Sequence, residues 1–91
     1  MTKPHNFKIF TRRWVDEDTN IQYSAKTAVF LLDIENVEEY VFDKVKSDKP
    51  LVYIMTERQT ILVEGDFDKI CNQINQAKEI DYLRQIQHLK N

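Results

Sequence analysis

Residues 51–77 have the sequence LVYIMTERQTILVEGDFDKICNQINQA, and this segment decides the fold. Nearly every position from 51 to 55 is apolar, which indicates an interior strand covered on both faces. The polar run 57–59 predicts a hairpin turn, and because it lacks Gly and Asn, a type I connection is favoured over a type I′ turn. Residues 60–64 are rich in β-branched side chains, which favour the returning strand.

A helix is predicted directly after the chain's single glycine. Gly65 ends the strand, and Asp66 has the chemistry of an N-cap, since its carboxylate can accept from N–H groups of the first turn. Asp68 adds negative charge near the positive end of the helix dipole. The apolar positions that follow share one helical face, which predicts packing on the sheet: Phe67, Ile70, Ile74 and Ala77.

The length of 91 residues predicts one small domain, residues 1–91. A hydrophobic fraction of 42% is enough for a modest core, so a disordered chain is not expected. Polar residues 1–6 contain a proline and predict a loose leader, and residues 79–91 predict a helical tail.

The rest of the sheet is predicted from alternation and turn signals. Residues 7–15 alternate in the manner of a strand, and the DEDTN sequence at 16–20 is typical of a turn. Residues 21–25 predict a second strand. The apolar run 27–34 favours a buried strand, with a short buried helix as the alternative.

Residues 33–39 are acidic and have room for a single helical turn, and residues 40–42 predict the start of another strand. The charged run 43–50 predicts a loop, because it ends at a proline. The predicted fold is therefore α+β: an antiparallel sheet of about four or five strands with one main C-terminal amphipathic helix.

Several functional classes are disfavoured by composition. No apolar run approaches a membrane span, the N-terminus lacks a secretion signal, and the single cysteine favours a reducing, cytoplasmic location. One glycine excludes phosphate-cradling loops. Cys71, His5 and His88 are too few for a closed zinc site, and Cys71 lies on the apolar helix face. We therefore predict no cofactor, no metal and no enzymatic activity.

After Ala77 the apolar periodicity goes out of phase. Either one long helix continues past the sheet, or Asp81 caps a second short helix that folds back. A protruding apolar tail needs a partner, which favours a homodimer, whereas a folded-back tail completes the monomer core. The candidate dimer contacts are Tyr82, Leu83 and Ile86.

Basic and aromatic residues form the other candidate surface. Two arginines lie between two aromatic residues on the first predicted strand, and three lysines share the 43–50 loop. If the two groups converge, they form a patch suited to nucleic acid or to an acidic protein surface; otherwise they are a solvated strand and loop. The candidate partner-binding residues are Phe10, Arg12, Arg13, Trp14, Lys44, Lys46 and Lys49.

The acidic residues favour a solvated surface over a metal or acid–base site, because they lack histidine or glycine support. They form one cluster in the middle of the chain: Asp33, Glu35, Glu38 and Glu39.

The segments LLDIENVEEY and LVYIMTERQTILVEGDFDKICNQI resemble the flagellar FlbD family, whose short members run strand, polar turn, strand and helix. The same order is similar to the C-terminal half of the LytTR DNA-binding domain. The resemblance covers about half the chain and implies an antiparallel sheet with a helix. The turn TERQT lacks the Asp-Gly or Asn-Gly of both families, and YLRQIQHLKN does not reproduce the basic and polar run of LytTR domains, so no DNA-contacting residue is carried over.

The sequence thus predicts a small, non-catalytic, cytoplasmic regulatory protein that binds another protein, with a homodimer as one arrangement. Phage, plasmid and host regulatory origins all fit. The alternative is a small nucleic-acid-binding regulator, although the net charge of −2 gives no strong attraction to nucleic acid.

Overall fold

The computed structural model describes residues 7–90, with side chains through residue 87; the predicted leader, residues 1–6, lies outside the described residues. Within this range the chain forms a five-stranded antiparallel sheet and one α-helix, which confirms the predicted α+β class. A single 3-10 turn, Leu31–Asp33, joins the second strand to the third. The elements are β1 Phe7–Val15, β2 Gln22–Phe30, β3 Ile34–Glu39, β4 Leu51–Thr56, β5 Thr60–Glu64 and α1 Phe67–Lys90.

The strands are ordered β2-β1-β5-β4-β3, so β4 and β5 lie in the interior of the sheet. Helix α1 packs on one face. Ile54 and Val63 are fully buried between sheet and helix, where they join Ile70 and Ile74 in the core. Burial of apolar side chains such as these is the main favourable contribution to the stability of a small domain.

The β4–β5 hairpin forms as predicted around the polar run 57–59. Val52 pairs with Val63, and the loop is closed by the Thr56 N–H donating to the Gln59 carbonyl at 2.8 Å. The Thr56 hydroxyl also accepts the N–H groups of Arg58 and Gln59 at 3.3 Å each. A threonine hydroxyl here satisfies backbone donors that a glycine-based turn would leave to solvent.

The strand-to-helix junction also follows the prediction. The Lys69 N–H donates to the Asp66 carboxylate at 3.0 Å, which confirms Asp66 as the N-cap. At Gly65 a Cβ would lie 2.5 Å from the Cδ1 of Ile70. Glycine therefore allows the end of β5 to approach the first turn of α1 closely.

Strands β1 and β2 form a long hairpin that pairs from Phe7–Phe30 to Val15–Gln22. The DEDTN turn is confirmed: the Asp16 carboxylate accepts backbone N–H groups of the turn, and Asn20 adopts a left-handed conformation with φ 60°. The two strands predicted for 21–25 and 27–34 are one strand, β2. It ends at Phe30 because Leu31 turns into the core.

Two local predictions were wrong. The helical turn predicted within residues 33–39 does not form: Asp33 ends the 3-10 turn, and Ile34–Glu39 is the edge strand β3. A register shift between Ile34 and Asn36 obscures the alternation of this strand in the sequence. Residues 40–42 start no strand. The Tyr40 N–H donates to the Leu51 carbonyl at 3.0 Å, and the chain then leaves the sheet.

Helix α1 is a single continuous helix, so the alternative of a second, folded-back helix is wrong. Asp81 lies within it and caps nothing; its carboxylate accepts from the Gln85 side-chain amide at 3.0 Å, one turn along. For residues 7–87, the last hydrogen bond from α1 to the rest of the protein is from Lys78 Nζ to the Ile34 carbonyl, at 3.0 Å.

Candidate interaction surfaces

The candidate residues of β1 divide between the two faces of the sheet, because successive side chains of a strand point to opposite sides. Phe10 lies on the face covered by α1 and is only 3% exposed. The prediction that Phe10 is an exposed partner-binding anchor is therefore wrong, and this ring is part of the core.

Farther along the same face, Arg12, Trp14 and Tyr23 form a stacked cluster. The Arg12 guanidinium lies 5.4 Å from the centroid of the Trp14 ring. Trp14 stacks on Tyr23 of β2, with 5.6 Å between centroids and 16° between planes. Trp14 is 39% and Tyr23 40% exposed, so the cluster presents aromatic surface and one positive charge to solvent.

Arg13 points to the opposite face of the sheet, where its charge is used inside the protein. Its guanidinium donates to the Glu64 carboxylate at 2.7 Å and to the Lys46 carbonyl at 2.7 Å. Both side chains of the ion pair are more than three-quarters buried. Arg13 therefore stabilises the contact between β1, β5 and the loop after β3.

That loop, residues 40–50, crosses the sheet face opposite α1, and we call it the crossing loop. The side-chain amide of Gln22 in β2 makes two hydrogen bonds to the backbone of the crossing loop. Gln22 Oε1 accepts from the Lys46 N–H at 2.9 Å, and Gln22 Nε2 donates to the Lys44 carbonyl at 3.2 Å. The Val45 N–H donates to the Tyr40 hydroxyl at 3.0 Å. These bonds replace the strand pairing that the loop lacks.

The structure brings part of the predicted basic patch together. Lys44 lies 3.2 Å from Glu17, and Lys49 lies 3.9 Å from Glu64. The lysines of the crossing loop and Arg13 therefore share one face, with carboxylates that offset part of their charge. Arg12 and Trp14 lie on the other face and do not join them.

The tail of α1, from residue 79 onward, is the most exposed apolar feature on the helix. Ile80 is 51%, Tyr82 62% and Leu83 52% exposed, whereas Ile86 is partly buried. At 100° per residue, Tyr82 lies about 100° and Ile86 about 140° around the helix from the mean direction of the core residues between 67 and 77. The side chains of Tyr82 and Leu83 therefore point away from the core face, in agreement with their exposure.

The remaining residues of interest are the potential metal ligands and the single cysteine. Within the described part of the chain, no group of three His, Cys, Asp or Glu side chains is placed to hold a metal ion. Cys71 is a thiol at the margin of the core. Across residues 7–90 no helix is both long and apolar enough to cross a membrane.

Three residues that organise these surfaces were not singled out from the sequence: Tyr23, Gln22 and Glu64. Each acts through the register of paired strands, Tyr23 opposite Trp14 and Gln22 opposite Val15. The DEDTN turn was the available signal, because a turn of known length fixes which residues of a hairpin face one another.

No protein-family model, curated protein or solved structure matches this chain. The resemblance to the FlbD and LytTR families therefore stays a prediction.

Proposed function

We propose that this protein is a small, non-catalytic interaction protein with a regulatory role, and that it associates with a second copy of itself through the tail of α1. The observation that carries the proposal is the apolar face of the tail at Tyr82, Leu83 and Ile86, which is rotated away from the core face of α1; we call it the turned face. Past the last hydrogen bond of the helix to the sheet, at Lys78, the side chains of Tyr82 and Leu83 stay more than half exposed and add little to the stability of the monomer.

A second copy suits this face because its charges are self-complementary. Glu79 and Asp81 stand at the start of the tail, and Arg84 follows them. In an antiparallel pair of tails centred on Leu83, Ile80 of one helix lies beside Ile86 of the other. This arrangement also places the acidic turn of each tail near Arg84 of its partner, in a two-fold symmetric contact.

The size of the surface predicts a weak dimer. Ile80, Tyr82 and Leu83 are each more than half exposed, which corresponds to on the order of 100 Å² per side chain, or roughly 600 Å² for the pair of chains. Standard stable interfaces bury about 1,200 Å² or more. Association in the micromolar range or weaker is therefore expected, and the dimer should form and dissociate with concentration.

The test compares two double variants by sedimentation equilibrium. Leu83→Lys with Ile86→Lys introduces charge into the turned face and should yield a folded monomer at every concentration. The matched control is Asn72→Lys with Asn75→Lys, which adds the same charge at the same spacing on exposed polar positions and should self-associate like the unmodified protein. Equal self-association of the two variants contradicts the proposal.

The second candidate function is nucleic-acid binding, and the cluster of Arg12, Trp14 and Tyr23 is the observation that favours it. Exposed rings beside a guanidinium are suited to stacking on single-stranded bases. The lysines of the crossing loop lie on the other face of the sheet. A bound oligonucleotide would have to pass around the β1–β2 hairpin to contact both these lysines and the aromatic cluster. Binding of labelled oligothymidine that weakens steeply with salt, and is lost in Trp14→Ala, supports this function; no binding at low salt rejects it.

A further inference from the structure

The sheet is nearly divided in two between β1 and β5. Strand β1 pairs with β2 along all of its 9 residues. Against β5 it forms a single pair, Arg12–Val63. The N-terminal half of β1 therefore has a strand partner on one side only, although it lies in the middle of the sheet order.

The hydrogen-bond phase of the hairpin shows which backbone groups lack a strand. The Asp16 N–H donates to the Ile21 carbonyl at 3.0 Å, so even-numbered residues of β1 exchange their hydrogen bonds with β2. Odd-numbered residues direct theirs toward β5. The single bridge between Arg12 and Val63 therefore uses backbone groups of the neighbouring residues, Thr11 and Arg13. Ile9 lies nearer the start of the strand and directs its N–H and C=O into the space next to α1.

That space is a groove of about 390 Å³ between β1 and the first turns of α1. Buried Phe10 and Ile70 form its apolar base. The stretch of β1 that borders it, residues 8–11, spans roughly 13 Å, which is long enough for about four residues of an added strand. An unpaired strand edge beside a helix is a site at which extended peptides bind.

The polar groups of the groove define the chemistry of an occupant. Lys8, Lys49 and Lys69 line it. Lys49 lies near Glu64, but among the described residues no carboxylate comes within 4 Å of the ammonium of Lys8 or Lys69. Two carboxylates, Glu64 and Asp66, also line the groove, but Glu64 pairs with Arg13 and Asp66 accepts the backbone N–H of Lys69. The three lysines outnumber these two carboxylates, so the groove favours a negatively charged occupant.

We infer that this groove binds an extended, acidic peptide segment of a partner protein as an added strand along β1. The peptide backbone pairs with the N–H and C=O of Ile9, and an acidic side chain meets Lys8 and Lys69. Residues 1–6 of this chain carry no carboxylate side chain and do not fit that chemistry. The site is separate from the tail, so this inference does not rest on self-association.

The probe is a fluorescein-labelled heptapeptide, Thr-Val-Glu-Val-Glu-Val-Thr, and the control is the same peptide with Lys in place of Glu. Fluorescence anisotropy should show binding of the glutamate peptide alone. In ¹⁵N spectra the amide of Ile9 should shift and become protected from hydrogen exchange when the peptide binds. Binding of both peptides alike, binding of neither, or a shift centred on the tail amides overturns the inference.

Variants locate the site. Ile9→Pro removes the N–H that points into the groove and leaves the hydrogen bonds to β2 in place, so it should abolish peptide binding. Lys69→Glu should weaken binding about fivefold or more and tests the charge without touching the backbone. Lys26→Glu, an equal charge change on exposed β2, should bind like the unmodified protein. Unchanged binding by Lys69→Glu contradicts the inference even if Ile9→Pro fails to fold.

The two proposals fail independently. The Leu83→Lys and Ile86→Lys double variant should bind the glutamate peptide as well as the unmodified protein does, because its substitutions lie far along α1 from the groove. Loss of peptide binding in this folded variant contradicts a site on β1.

Discussion

Alanine substitution at two positions of α1 separates core from tail. Ile74 is 7% exposed and packs in the core, whereas Leu83 is 52% exposed. Ile74→Ala removes buried carbons and leaves a cavity, which costs about 3 kcal/mol of the free energy of unfolding. Leu83 lies outside the core cluster and alanine is as good a helix former as leucine, so Leu83→Ala should change the free energy of unfolding by no more than about 0.5 kcal/mol.

The assay is urea unfolding at a protein concentration low enough to keep the chain monomeric, followed by far-UV circular dichroism and by Trp14 fluorescence. With a typical slope for a small domain, Ile74→Ala should lower the midpoint by roughly 2 M at unchanged slope. Leu83→Ala should unfold with the unmodified protein. Repeating the experiment at high concentration adds the dimer's contribution, which only Leu83→Ala should reduce.

A loss of 2 kcal/mol or more in Leu83→Ala at low concentration refutes the reasoning. That result would mean that the tail folds onto its own chain and completes the monomer core. An unchanged Ile74→Ala would equally contradict the packing of α1 on the sheet.

Three further predictions concern the junction between β5 and α1 and the attachment of the crossing loop. Gly65→Ala should destabilise by about 1–2 kcal/mol, because the new Cβ meets the tip of Ile70; combining it with Ile70→Val, which removes that tip, should cost less than the sum of the two single changes in a urea double-mutant cycle. Asp66→Ala should lower the free energy of unfolding by about 1 kcal/mol through loss of the helix N-cap, measured in the same way. Gln22→Ala should release the crossing loop and speed tryptic cleavage after Lys44 and Lys46, while Ser24→Ala on the same strand should leave the cleavage rate unchanged.

The middle of the fold could be predicted because local signals agree there. Alternating apolar runs, a three-residue polar turn, one glycine and an N-cap aspartate all indicate strand, strand and helix in residues 51–77. The edge strand β3 could not be predicted, since an acidic composition and a register shift both mask its pattern. The path of residues 40–50 depends on hydrogen bonds to a distant strand, which leave no local trace.

The candidate surfaces were predictable to different degrees. The tail was found from sequence because helical phase is a local property, and the exposure of Tyr82 and Leu83 agrees with it. The structure brings only part of the predicted basic patch together, namely Arg13 and the lysines of the crossing loop. The pattern of β1 places Arg12 and Arg13 on opposite faces, but which of them meets the crossing loop depends on tertiary structure. Phe10 was misjudged because the sequence does not show which face of an alternating strand a helix will cover.

The solution mass of the unmodified protein tests self-association through the tail most directly. Light scattering coupled to gel filtration, from about 5 µM to 1 mM and at low and high salt, covers the range expected for a weak apolar interface. We predict a mass that rises with concentration from the 10.9 kDa of one chain toward twice that value. High salt should lower the mass only slightly, because it screens the exposed charge pairs but not the apolar contacts. A mass of one chain at every concentration would contradict the proposed dimer.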